Sequence, residues 1–338
     1  MSENFLHGLR LPWPVAWGAL FGRQAPLLAE IGFGGGDFLL DLARKRPSTN
    51  VVGLEISLPS LRKTARKVDR AGLPNVRLIQ SDARGFLWAL CRPAALHALY
   101  ANFPDPWPKP GHQHRRLINP DFLALAASRL QPGAPLEIAT DHAEYAEVIT
   151  DCLQQSPYFA SQTGAPFLTA DPARVQTKYE RKALAAGSVC HYFKWRRNET
   201  PVPVVFPIPQ EISMPHVVLR TPLTTADIQR QFQPWHVSAA GTEIKFIASY
   251  ASALHADLLV EVYIGEEPVH QRLGLAIRPR PSGDVVIGLH EIGFPRPTAG
   301  VHEAVRALLT WLQTLHPRTE VVSSTLADSL ASRESVDE

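Results

Sequence analysis

Leu27-Leu28-Ala29-Glu30-Ile31-Gly32-Phe33-Gly34-Gly35-Gly36-Asp37 is the stretch that decides the fold of this 338-residue chain. Its first five residues are a short apolar run with one acid, the mark of a buried strand. The glycine cluster stops that strand, and the apolar spacing over 37–46 predicts a helix directly after it. Strand, glycine turn and helix in that order open a βαβ unit. Working outward, residues 51–54, 76–80, 96–101 and 136–140 read as further buried strands. Helical patterns over 60–71, 122–130 and 145–154 lie between or after them, and 189–195 alternates as an antiparallel final strand would. Crossovers of this length require a largely parallel sheet with helices on both faces. An α/β, Rossmann-like domain is therefore expected over 1–198.

The pattern changes after a proline-rich stretch, 199–216, which holds Pro201, Pro203, Pro207, Pro209 and Pro215 and reads as an extended linker. Strands are expected at 217–220, 243–248, 257–264, 272–278 and 285–289, with tight turns at 265–267 and 282–284. An amphipathic helix follows at 301–315. Strands first and a helix after predict a smaller α+β domain over 217–322. The tail, 323–338, is rich in Ser, Asp and Glu and is expected to be disordered.

Composition narrows the function classes. No run of about 18 apolar residues exists, so no membrane span is expected, and residues 1–10 lack the pattern of a secretion signal. Cys91, Cys152 and Cys190 have no metal-like spacing and suit a reducing compartment, so a cytoplasmic protein with free thiols is expected. The net charge is only +2. It is unevenly spread: 24 basic against 17 acidic residues in 1–199 give +7, and 10 against 15 beyond give −5. A basic front half favours phosphate-bearing partners.

The glycine loop reads Gly32-x-Gly34-x-Gly36, with Asp37 where a dinucleotide loop needs its third glycine. Glu30 just before it repels phosphate and favours a cation. S-adenosylmethionine, with its ammonium and sulfonium, is such a ligand. Glu55, at the end of the second strand, is placed to accept ribose hydroxyls, and Asp82 with Ala83, after the third, to meet the adenine. At the end of the fourth strand stands Asn102-Phe103-Pro104-Asp105-Pro106-Trp107-Pro108-Lys109. Prolines on both sides of Asp105 hold one carboxylate beside the cofactor.

This segment resembles the NFPDPWPK motif of the tRNA (guanine-N7)-methyltransferases. The glycine loop is similar to their EIGFGxG form, Thr140-Asp141 to their TD motif, and Thr177-Lys178-Tyr179-Glu180-Arg181 to their TKFE-type segment. The resemblance runs from about residue 11 to 195. It implies a class I S-adenosylmethionine-dependent methyltransferase sheet acting on tRNA, with the variable loop as the expected target. It further implies that Glu30, Gly32, Gly34, Gly36, Glu55, Asp82, Ala83, Asn102 and Asp105 hold the cofactor, with Asp105 catalytic. Lys109, His112, Arg115, Arg116, Asp141, Thr177, Lys178, Tyr179 and Glu180 are implied on the substrate side. Asp141 or Glu180 would accept from the guanine N1 and N2 hydrogens, and Trp107 or Tyr179 would stack on the base.

After Lys109 the family continues with a dense basic stretch, but this chain has Pro110-Gly111-His112-Gln113-His114-Arg115-Arg116. No third ligand accompanies His112 and His114, so no metal is expected. Two other basic groups either follow phosphates or form solvated faces: Arg62, Lys63, Arg66, Lys67 and Arg70, and Lys194, Arg196 and Arg197. Competing readings are a Rossmann-type oxidoreductase, opposed by Glu30 and Asp37, a methyltransferase of another RNA, and a non-catalytic RNA-binding protein on the same fold. The C-terminal domain reads as a brace or as a second tRNA grip. Oligomeric state is not legible.

Overall fold

The computed structural model describes residues 4–203, 206–239 and 241–328. Two compact units divide at Ile208 and Pro209. The first carries strands β1 (Phe5–His7), β2 (Leu27–Ile31), β3 (Asn50–Glu55), β4 (Val76–Gln80), β5 (Leu96–Asn102), β6 (Pro135–Thr140), β7 (Phe159–Ser161) and β8 (His191–Arg197). Its helices are α1 (Trp17–Phe21), α2 (Asp37–Lys45), α3 (Leu58–Ala71), α4 (Ala83–Gly85), α5 (Pro120–Arg129), α6 (Ala143–Gln155) and α7 (Lys178–Ala185).

These strands form one sheet in the order β1-β4-β3-β2-β5-β6-β8-β7. Pairing is parallel from β1 to β6, and β8 runs antiparallel to both its neighbours. The chain moves from β2 outward through β3 and β4, then returns to place β5 on the other side of β2. The strand order therefore reverses between β2 and β5, where Glu30 pairs with Tyr100 and Ile31 with Ala101. Ligands of open α/β sheets bind at the carboxyl ends of strands beside such a reversal. Every residue of β2 is buried because helices cover both faces. One cluster joins Leu27, Ala29 and Ile31 to α5 and α6, and another joins Leu28 to Leu39, Leu61 and Val68 of α2 and α3.

Phe206 and Pro207, beyond β8, are tied down. The indole of Trp88 donates to the Pro207 carbonyl at 2.6 Å, and buried Arg129 donates to that of Phe206 at 2.7 Å.

The second unit is an antiparallel sheet of β9 (His216–Arg220), β10 (Trp235–Ala239), β11 (Thr242–Ala251), β12 (Leu258–Glu266), β13 (Val269–Pro279), β14 (Val285–Leu289) and β15 (Glu320–Ser324), ordered β10-β11-β12-β13-β14-β9-β15. Helix α8 (Thr225–Gln231) contributes Ile228 to its core. Helix α9 (Ala299–Leu315) buries Val301, Ala304, Val305, Leu308 and Leu312 in the same cluster as Ile244, Val262 and Leu275. That spacing of three and four is the core-facing stripe of a helix. Two expectations are corrected here. The turn after β12 is Glu267-Pro268, with Glu266 paired to Val269, not 265–267. The tail is not disordered from Ser323: β15 pairs with β9 through Ser324, and the Thr325 hydroxyl donates to the Met214 carbonyl at 2.9 Å. Residues 329–338 lie outside the described residues.

Candidate functional site

The carboxyl ends of β2, β3 and β5 bring the glycine loop, Glu55 and Asn102 to one edge. Gly36 adopts a left-handed φ of 74°, and a Cβ there would meet Thr64 Cγ2 at 2.4 Å, so only glycine fits. Glu55 fastens the loop: one carboxylate oxygen accepts from Gly34 N at 3.0 Å, the other from Ile56 N and Ser57 N at 2.9 and 3.0 Å. Asp82, exposed, caps α4 by accepting from Gly85 N at 2.7 Å, with Ala83 buried behind it.

Glu30 is 1% exposed. Its Oε1 accepts from the Asn102 amide at 2.7 Å, while Oε2 is buried without a hydrogen-bond partner among the described residues. An orphaned carboxylate oxygen costs free energy unless a cation or donor meets it. Burial raises the Glu30 carboxyl to about 7; the Asn102 bond and Arg174 pull it down, and Asp37 and Glu55 push it further up. A buried acid with one oxygen uncommitted beside a glycine loop fits a ligand that carries positive charge.

Asn102 in turn accepts from Arg174 at 2.6 Å. Arg174 lies 3.5 Å from Glu180, and Glu180 accepts from the Tyr192 hydroxyl at 2.7 Å. A continuous buried chain thus joins Glu30, Asn102, Arg174, Glu180 and Tyr192. Glu180 also forms a capping box with Thr177 at the start of α7. This corrects one expectation. Glu180 is 1% exposed with both oxygens engaged, so it is not a free acceptor for a base edge; the Thr177 hydroxyl accepts in the cap and keeps its own hydrogen to donate. The segment they organise presents Lys178 and Tyr179 outward, and Tyr179 is 65% exposed. Its ring lies 3.5 Å from where a Cβ on Gly34 would stand, so it borders the glycine loop.

The Asn102–Lys109 segment is rigid and strained. Phe103 and Trp107 hold φ of 54° and 42°, sparsely populated for bulky residues. Phe103 N donates to Ala139 O at 2.8 Å, and Arg116 Nε donates to Pro106 O at 2.8 Å. Between these anchors Asp105 is exposed, with no hydrogen bond or ion pair among the described residues. Arg115 lies over the Trp107 ring at 5.1 Å, and His112 meets the same ring edge-on at 5.9 Å. Arg116 is another correction: it is buried, bonded to Glu144 at 2.7 Å and stacked on Tyr145, so it holds the loop and is not offered to a substrate. Lys109 and Asp141 are exposed.

The two basic groups separate. Lys67 donates to Gly35 O at 2.6 Å and pairs with Asp37, whereas Arg62, Lys63, Arg66 and Arg70 remain exposed. Lys194 pairs with Asp171 at 2.8 Å, Arg196 donates to Gly133 O, and buried Arg197 donates to Ala127 O and Thr200 O; this group is structural. Arg174 and Tyr192 were missed from sequence, because an arginine in a polar stretch reads as solvated. Among the described residues no cluster of His, Cys, Asp or Glu could hold a metal, and no helix is long and apolar enough to cross a membrane.

Comparison with known proteins agrees with this geometry. A family model described as "Putative methyltransferase" matches residues 24–192. A tRNA (guanine-N(7)-)-methyltransferase of Cutibacterium acnes is 42% identical over 198 residues, covering 58% of this chain and 70% of that protein. One from Thermus thermophilus is 32% identical over 309 residues, covering 89% of this chain and 93% of its own, so the likeness extends into the second unit. Among solved structures, the 16S rRNA methyltransferase KamB is 17% identical at a TM-score of 0.43, covering 54% of this chain and 93% of its own, too loose a likeness to bear on function. With matches of this identity and coverage, the chain belongs to the tRNA (guanine-N7)-methyltransferase family.

Proposed function

We propose that this chain transfers a methyl group from S-adenosylmethionine to N7 of a guanine in tRNA, in the cytoplasm, with the variable loop as the target. The observation that carries the reading is the buried Glu30 oxygen, unpartnered among the described residues, beside a glycine loop at the strand-order reversal. Glu30, Gly32, Gly34, Gly36, Glu55, Asp82 and Ala83 would hold the cofactor, which when bound supplies an electrophilic methyl group on sulfur.

The chain's own work is mostly positioning. Guanine N7 has an in-plane lone pair, so no proton must leave first, and alignment supplies much of the rate. Alkylation makes the purine cationic, and a fixed carboxylate stabilises that charge as it develops. Asp105, held between the anchored Phe103 and Pro106 and without a competing partner among the described residues, suits this role. With Glu180 committed internally, Asp141 is the acceptor left for the guanine N1 and N2 hydrogens. Tyr179 offers an exposed ring for a base taken out of its stack. Lys109, His112, Arg115 and Lys178 face the polyanion.

The test is methylation of unmodified tRNA transcripts, read as 7-methylguanosine by mass spectrometry. Wild type is expected to form it. Asp105→Ala should lose about 10²-fold or more in rate, with cofactor affinity and melting temperature little changed. A different methylated nucleoside would retain the fold and overturn the substrate. Unchanged activity in Asp105→Ala would overturn its assigned role.

A further inference from the structure

We propose that Arg174 is a positioning residue for methyl transfer: one buried guanidinium orients Asn102, and through it Glu30, on the cofactor side, and holds Glu180 on the substrate side. The inference rests on the cofactor reading above.

The two ends of the Asn102 amide differ chemically. Guanidinium only donates and carboxylate only accepts. Arg174 at 2.6 Å therefore fixes the oxygen end toward itself, and the nitrogen end must face Glu30 at 2.7 Å. Without Arg174 the amide oxygen is left buried without its donor, and only the Glu30 carboxylate still fixes which end of the amide faces it. The amide is then held at one end instead of two, and the carboxylate that accepts from it is held less firmly.

The same guanidinium forms an ion contact with Glu180, its Nε 3.5 Å from Oε2 without a hydrogen bond, and Glu180 caps α7 through Thr177 and accepts from Tyr192. Arg174 thus touches both Asn102, which donates to Glu30, and Glu180, which starts the helix of the Tyr179 segment. Its own position is tightly determined. The side chain is 4% exposed, its cation lies 4.6 Å from the Phe38 ring and 5.8 Å from that of Tyr192, and nearby Asp171 is pinned by Lys194. Among the charged groups around Glu30, Arg174 is the cation and Asp37 and Glu55 are carboxylates. Removing Arg174 leaves the two carboxylates, which disfavour the ionised form, opposed by the Asn102 hydrogen bond alone.

Full-length Arg174→Gln and Arg174→Lys test this, with S-adenosylhomocysteine binding followed by calorimetry from pH 6 to 9, beside thermal melts and tRNA kinetics. Wild-type affinity should rise with pH as Glu30 ionises. In Arg174→Gln that rise should move up by about one pH unit, weakening binding at pH 7 about five-fold. Arg174→Lys keeps the charge, so its pH profile should stay near wild type. A compact ammonium lacks the planar fork that bridges two acceptors, so its KM for tRNA should rise several-fold. A lower melting temperature with unchanged pH profile and affinity in the Gln variant would overturn the proposal, leaving Arg174 as packing alone. Should the Gln variant not fold, an unchanged tRNA KM in the Lys variant overturns it. Failure of wild type to bind S-adenosylhomocysteine would instead sink the cofactor reading, and the proposal with it.

Discussion

Thr177 and Glu180 cap each other across the first turn of α7: the Thr177 hydroxyl accepts from Glu180 N at 3.1 Å, and the Glu180 carboxylate accepts from Thr177 N at 3.2 Å. A pair that resembles a substrate motif in sequence is therefore a helix start in space, and it sets where Lys178 and Tyr179 project. Thr177→Ala should cost about 1 kcal/mol of local stability and raise the KM for tRNA, while Thr177→Ser keeps the cap and stays near wild type. Steady-state kinetics of the two variants check this; equal losses in both would argue for a methyl contact instead.

Neighbouring arginines after Lys109 should behave differently. Arg115 is exposed over Trp107, and Arg115→Ala should weaken tRNA binding and reduce the salt slope of log Kd by about one, with the melting temperature unchanged. Arg116 is buried against Pro106, Glu144 and Tyr145. Arg116→Ala should lower stability by about 1–3 kcal/mol. Urea denaturation beside salt-dependent binding separates the two.

With Glu30 assigned to the cofactor, binding should release protons. Its carboxyl sits at about 7 in the unliganded fold against an ordinary 4.5. The folded form thus holds a proton that the unfolded chain has lost, so this group's contribution to stability is full below pH 4.5 and is lost as pH rises through 7. A cationic ligand favours the ionised form and reverses that trend. Binding at pH 7 should release about half a proton, seen by calorimetry in buffers of different ionisation enthalpy. Glu30→Gln should release none.

The end of the first unit is set by contacts and not by composition. A chain cut after Ile208 keeps the carbonyls that Trp88 and Arg129 bind, whereas one cut after Arg197 leaves a buried guanidinium short of an acceptor. The shorter piece should be less stable by about 1–3 kcal/mol; equal melting of the two would contradict this.

Much of the architecture is legible in the residues themselves. The 76–80 and 285–289 strands coincide with β4 and β14, and the glycine loop stands where a strand–turn–helix pattern puts it. Elements missing from that reading have weak local patterns: β15 is exposed along all five residues, and polar α7 depends on its cap.

Local chemistry along the chain was enough to determine the strand order's raw material, the glycine turn, and the proline-braced Asp105, because each is encoded within a few neighbouring residues. Only the tertiary structure decided which charges are free. Arg115 and Arg116, or Tyr179 and Glu180, are adjacent in sequence and opposite in burial. Burial and pairing are set by residues tens of positions away, as Arg174 shows by meeting Asn102 across 72 residues of chain.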